Sequence, residues 1–212
     1  MTPRISARLG LPRIAAALLV AALPGGPALA HVGHGAASGL VAGMGHPVSG
    51  LDHMTAMLVV GLIAARHDGI ARLAPPAAFV AAMVAGGIAG MAGLMLPDVA
   101  VEGFIALSLV LLGLLLAASL GLPAAALLPA IALFGAFHGL AHGAEAPETA
   151  SGLAYLAGFV TVTALLHLAG IALGSVLRRL PAHAGRIAAA TLGLGAAGVG
   201  LPLLLAAVSA GG

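Results

Sequence analysis

Apolar runs of about twenty residues recur along almost the whole chain between short polar breaks, and no other feature so narrows what it can fold into. A bilayer offers no water to backbone N–H and C=O groups, so repeated runs of that length dictate helices that satisfy their own hydrogen bonds. The spacing predicts an all-α, polytopic integral membrane bundle of about six spans, near 47–65, 75–96, 102–119, 124–143, 152–177 and 186–208. Pro75, Pro76, Pro97, Gly121, Pro123, Pro147 and Pro181 fall in the breaks, where residues that end or start helices belong. Composition agrees: 61% hydrophobic residues, 7% charged residues and a mean hydropathy of +1.18 exclude a water-soluble domain.

Residues 1–30 read differently from the rest. Arg4, Arg8 and Arg13 precede the short apolar core "IAAALLVAAL", and "PGGPALA" closes on an A-x-A cleavage pattern. This predicts a cleavable signal peptide, leaving 31–212 as the membrane domain with His31 first.

Charge then fixes an expected orientation. With the mature N-terminus outside, the loops after the first and fifth spans carry Arg66, Arg72, Arg178, Arg179 and Arg186, which is every cation of the mature chain. The opposite loops carry Asp98, Glu102, Glu145 and Glu148, and Asp68 alone among the loop carboxylates falls on the basic side. Six spans with both termini outside therefore satisfy the positive-inside rule. The sequence pI near 10.5 reflects this sorting and not nucleic-acid binding, because the eight cations form no basic patch interleaved with aromatics. There is no Lys and no G-x-x-x-x-G-K-[ST] loop, so no nucleotide site is expected, and no Cys, so thiolate metal sites are excluded. The glycine-rich stretches "GGIAGMAG" (86–93) and "LGLGAAGVG" (192–200) place small residues at helical spacing, which lets helices approach closely in lipid.

Two polar clusters interrupt this pattern. His46, Asp52 and His53 stand at the start of the first span, and His138, His142 and Glu145 at the end of the fourth, so both face the same external mouth. An Asp at the centre of a spanning helix costs roughly 2.5–3.5 kcal/mol on insertion scales, and helix packing alone does not require one even near the interface. His138 and His142 are i and i+4, on one helix face with Cβ atoms about 6 Å apart, close enough for one metal ion. Glu145 continues that face nearer the rim, unless Gly143 ends the helix and folds it back. Asp52 and His53 point about 100° apart on a regular helix, so either one stands behind the other or Gly50 unwinds the backbone. Imidazole with carboxylate and no thiolate suits divalent Ni, Co, Zn or Cu better than Mg or Ca. Weaker candidates are His31 and His34 at the mature N-terminus, Met57 as a soft ligand, and His167. For His167, in the fifth span, an interhelical hydrogen bond is the commoner role.

"HPVSGLDHMTAMLVVG" (46–61) resembles the HPxxGxDHxxAMxxVG motif of the HupE/UreJ family of bacterial membrane proteins, and "FHGLAHGAE" (137–145) resembles its FHGxAHGxE motif. The resemblance extends over essentially the whole chain. It implies a secondary permease of the inner membrane, not an enzyme, with Ni(II) or Co(II) as transported substrate and no tightly bound cofactor. His46, Asp52, His53, His138, His142 and Glu145 are the positions matching its motifs. The partners so implied are lipid, the divalent ion, a hydrogenase or urease maturation system as recipient and, in an assembly, further copies of the chain. Two other readings of the same ligands are an intramembrane zinc hydrolase recruiting Ser49 or Ser151, and a metal sensor or accessory protein that binds without transporting.

Overall fold

The computed structural model describes residues 36–146 and 151–211; the signal segment, His31, His34 and Glu148 lie outside the described residues. Within them the chain forms helices α1 (Ala36–Ser49), α2 (Leu51–Ala64), α3 (Ala74–Met91), α4 (Asp98–Ala118), α5 (Ala124–Ala144), α6 (Ser151–Leu177) and α7 (Ala182–Ala210), with a 3₁₀ turn over Gly69–Leu73 leading into α3. Pro97, Pro123 and Pro181 each stand immediately before a helix, where a missing N–H costs nothing. Among the described residues, five helices are long and apolar enough to cross a bilayer, and the pair α1–α2 makes a sixth if taken as one span.

That pair departs from the single helix expected over 47–65. It bends by 80° at Gly50, and helix already begins at Ala36. At 1.5 Å per residue α2 alone covers about 21 Å, short of the ~30 Å hydrocarbon core. The local cause is in the sequence. Pro47 cannot donate to the carbonyl one turn back, and Gly50, extended at φ −99 and ψ 120, starts a new helix.

Packing runs through glycine. Helices α3 and α5 approach so closely that a Cβ on Gly86 would strike the Ala136 carbonyl, one on Gly135 the Phe79 carbonyl, one on Gly139 the Met83 carbonyl and one on Gly143 the Gly87 carbonyl. Gly113 of α4 meets Gly193 of α7 in the same way, Gly43 of α1 meets Tyr155 of α6, and Gly61 of α2 meets Gly170 of α6. Between these contacts lies an apolar core of Met57, Val60, Phe79, Met83, Leu112, Ile131 and Phe159, while Leu111, Leu114, Leu165, Leu168, Leu194 and Leu205 are left exposed for lipid. Met57 is thus fully buried in apolar packing.

The charges gather at the two ends. Arg66 donates to the carbonyls of Leu115 and Leu116 and to Ser119 Oγ, closing the last turn of α4. Arg178 donates to the Ala65 carbonyl at 2.8 Å and to Asp68 at 3.0 Å, and Arg72 lies 3.5 Å from the same carboxylate. Asp68 sits among arginines as their counter-ion, and the Arg178 hydrogen bond holds its carboxyl below the ordinary range.

Gly139→Ala should destabilise the bundle by about 1–3 kcal/mol, because the new methyl meets backbone that cannot yield. Gly195→Ala, at a position with open space around it, should be neutral or stabilising by up to ~1 kcal/mol. Unfolding in detergent measures both, and a Gly139→Ala protein as stable as wild type would show that close approach does not hold the helices.

Candidate metal centre

The bend at Gly50 turns the C-terminal end of α1 across the mouth of the bundle and puts His46 on a helix of its own. His46 Nε2 lies 3.4 Å from Glu145 Oε2, and His142 Nδ1 lies 3.7 Å from the same oxygen. One ligand atom from each of these three residues falls within 4.8 Å of the others, a spread that a single cation can draw together. Glu145 follows the last residue of α5 with αR backbone and keeps an exposed side chain. Contact with His142 first, and proximity to His46 and His53 after it, hold its carboxyl below the ordinary range although partial burial opposes this.

A second tier stands directly behind. The His53 ring lies 4.5 Å from that of His142 and 5.2 Å from that of His138, centroid to centroid, and 6.4 Å from that of His46. Asp52 Oδ1 accepts from His53 Nδ1 at 2.9 Å, which leaves the His53 Nε2 lone pair without a partner. His138 Nδ1 donates to the Phe134 carbonyl at 2.8 Å and likewise leaves Nε2 open. An oxygen on one ring nitrogen fixes the tautomer and presents the other nitrogen as a ligand. Asp52 therefore stands behind His53 and orients it, while Gly50 also breaks the helix, so both alternatives left open by the sequence are realised. Asp52 in the first turn of α2 also meets the positive end of that helix.

Exposure falls steadily inward. The side chains of Glu145, His46, His53 and His142 are 60%, 34%, 12% and 3% accessible, and His138 is wholly buried. Leaving a buried polar atom unpaired costs about 1–3 kcal/mol, and both nitrogens of His142 are unpaired as well. An arriving cation would take up one lone pair from each of these rings. Aromatic rings close the sides: Phe159 lies 4.1 Å from the His142 ring and Phe79 lies 5.2 Å from the His138 ring.

The chain matches the model of the family described as HupE / UreJ protein over residues 17–203. It belongs to the HupE/UreJ family. It is also 40% identical over 194 residues to Protein HupE of Rhizobium leguminosarum bv. viciae, covering 91% of this chain and 97% of that one. No solved structure matches. The family is one of hydrogenase- and urease-associated nickel/cobalt transport proteins, accessory to those systems and not enzymes, which sets aside the hydrolase reading.

His46, Asp52, His53, His138, His142 and Glu145 all meet at one end of the bundle. Two carboxylates that the sequence treated only as topological charges join them there. Glu102 and Asp98 line a cavity of ≈ 90 Å³ with Glu145 and a second of ≈ 330 Å³ with Asp52. Their i, i+4 spacing on the first turn of α4 was the available signal. A cavity of ≈ 440 Å³ opens at the other end of the bundle, but Arg66 lines it, and a fixed guanidinium opposes a cation. His167 makes no interhelical hydrogen bond: neither of its ring nitrogens has a partner among the described residues.

Gly50→Ala should fold yet bind metal more weakly. A Cβ there would come within 2.7 Å of Asp52 Oδ1 and 3.1 Å of His53 Nδ1 and push the carboxylate off the ring. Losing that orientation should cost about 10–100-fold in affinity, as should Asp52→Asn, by calorimetric titration of purified protein with Ni(II). Wild-type affinity in both variants would remove Asp52 from the site.

Proposed function

We propose that this chain is a secondary permease that imports a divalent transition metal, nickel foremost, across the inner membrane to supply hydrogenase or urease maturation. The observation that carries the reading is the convergence of His46, His142 and Glu145, with His53 and His138 behind them, on a graded descent from exposed carboxylate to buried imidazole. A closed four-ligand cage would trap its ion. Ligands staggered along a path can strip water from the ion and still hand it on, which conduction requires. Neutral imidazole and carboxylate suit Ni(II) and Co(II), and the family's nickel/cobalt association favours these over zinc.

The histidine-bearing mouth faces the periplasm in this reading. Every arginine of the described residues lies at the opposite end, which the positive-inside rule assigns to the cytoplasm, so both mature termini are periplasmic. A reporter active only in the cytoplasm should work when fused after Arg72 or Arg179, and one active only outside should work after Asp98 or Glu148. The reverse pattern would put the cluster at the inner mouth and make the protein an exporter or a sensor.

Uptake of radioactive nickel into proteoliposomes tests the transport itself. Replacing His46, His53, His138 or His142 by Ala should each lower uptake at limiting nickel by about 10-fold or more, with cobalt affected in parallel. Metal competes with protons for imidazole, so wild-type uptake should fall as the external pH is lowered. Binding without flux in the wild type would instead establish a sensor or accessory protein.

A further inference from the structure

Below the outer histidines, α6 carries one inward-facing stripe: Tyr155, Phe159, Thr163 and His167, all buried. Its upper part belongs to the mouth, since Tyr155 and Phe159 flank the His46 ring at 6.0 and 6.3 Å and Phe159 touches His142. Its lower part is polar and unexplained. His167 is 1% exposed with both ring nitrogens unpartnered, and Thr163 is fully buried with its hydroxyl unpartnered. Other helix hydroxyls behave differently. Thr161, Ser175, Thr191 and Ser209 each donate to the carbonyl one turn back, at 2.7–3.0 Å. Thr163 lacks even that bond.

Thr163 and His167 are i and i+4, so both face the interior from adjacent turns, while Leu165 and Leu168 point to lipid. His167 lies roughly 24 Å along α6 from its outer end, near the middle of the bilayer. The Phe79 ring joins it to the mouth: its centroid is 5.2 Å from that of His138 and 5.1 Å from that of His167. Unpaired polar side chains at that depth mark ion paths.

We propose that His167 and Thr163 form an inner station, where the divalent ion is held by one imidazole nitrogen and one hydroxyl oxygen after it leaves the outer histidines and passes Phe79. The inference rests on the transport reading and deepens it. Two neutral ligands hold an ion more loosely than the carboxylate and imidazoles of the mouth, which suits a site that must release it onward.

The chain has no cysteine, so His167→Cys places a single thiol at the proposed station. With Co(II) bound to this full-length variant in liposomes, a near-ultraviolet thiolate-to-cobalt charge-transfer band should appear. Wild type and the lipid-facing control Leu165→Cys should lack it. Bound cobalt without the band would overturn the station. In nickel uptake, His167→Ala should be slower by about 10-fold and Thr163→Val by about 3-fold, with equilibrium binding at the mouth within about 2-fold of wild type. A wild type that carries nickel while His167→Ala carries it as fast overturns the station alone. A wild type that carries none overturns the transport reading and the station with it.

Discussion

The contact between α3 and α5 fixes the position of the buried histidines. In lipid no hydrophobic force draws helices together, so their association depends on close packing and on the backbone approach that small residues permit. Gly135, Gly139 and Gly143 form one ridge of α5, seated against the backbone of Phe79, Met83 and Gly87. One residue back, about 100° around the helix, runs the ridge Phe134, His138 and His142. Seating the glycine ridge on α3 therefore turns the histidine ridge toward α2 and the end of α1, where His53 and His46 stand. The imidazoles are placed by backbone that cannot shift, and a ligand set held this way keeps its geometry without a metal to organise it.

The two ends of the bundle treat polar groups in opposite ways. At the arginine end Arg66 completes α4, and Arg178 ties the Ala65 carbonyl to Asp68. Those bonds hold loops and leave little free to bind a cation. At the histidine end one nitrogen of His53 and one of His138 are committed to an oxygen while their other nitrogens stay open, and His142 is open on both. Open lone pairs in a low-dielectric interior are costly in the empty protein. In the proposed function a cation accepts one lone pair from each ring and relieves part of that cost. The carboxylates Asp98, Glu102 and Glu145 around the outer cavities add a negative field that concentrates cations at the entrance.

Local composition determined much of this protein. Apolar runs and proline breaks specified the membrane helices, because span length and helix termination are set within a few turns of chain. The arginines declared the two ends for the same reason, and His138 and His142 could be paired on one face because i and i+4 is a property of any helix. The glycine stretches announced close packing, although not their partners: Gly193 meets α4 while Gly195 and Gly198 face open space. What the tertiary structure decided depends on residues far apart in sequence. Pro47 and Gly50 are visible as weak points, but the 80° bend that sets His46 against His142 depends on α1 packing on α6. Asp52 could be placed behind His53 only once that break was known, and Glu102 joined the site only when α4 was set beside α5. His167 is the clearest case. Its sequence neighbourhood reads as an ordinary spanning helix, and only packing shows that no hydrogen-bond partner reaches it among the described residues, because a missing partner depends on every helix that surrounds it.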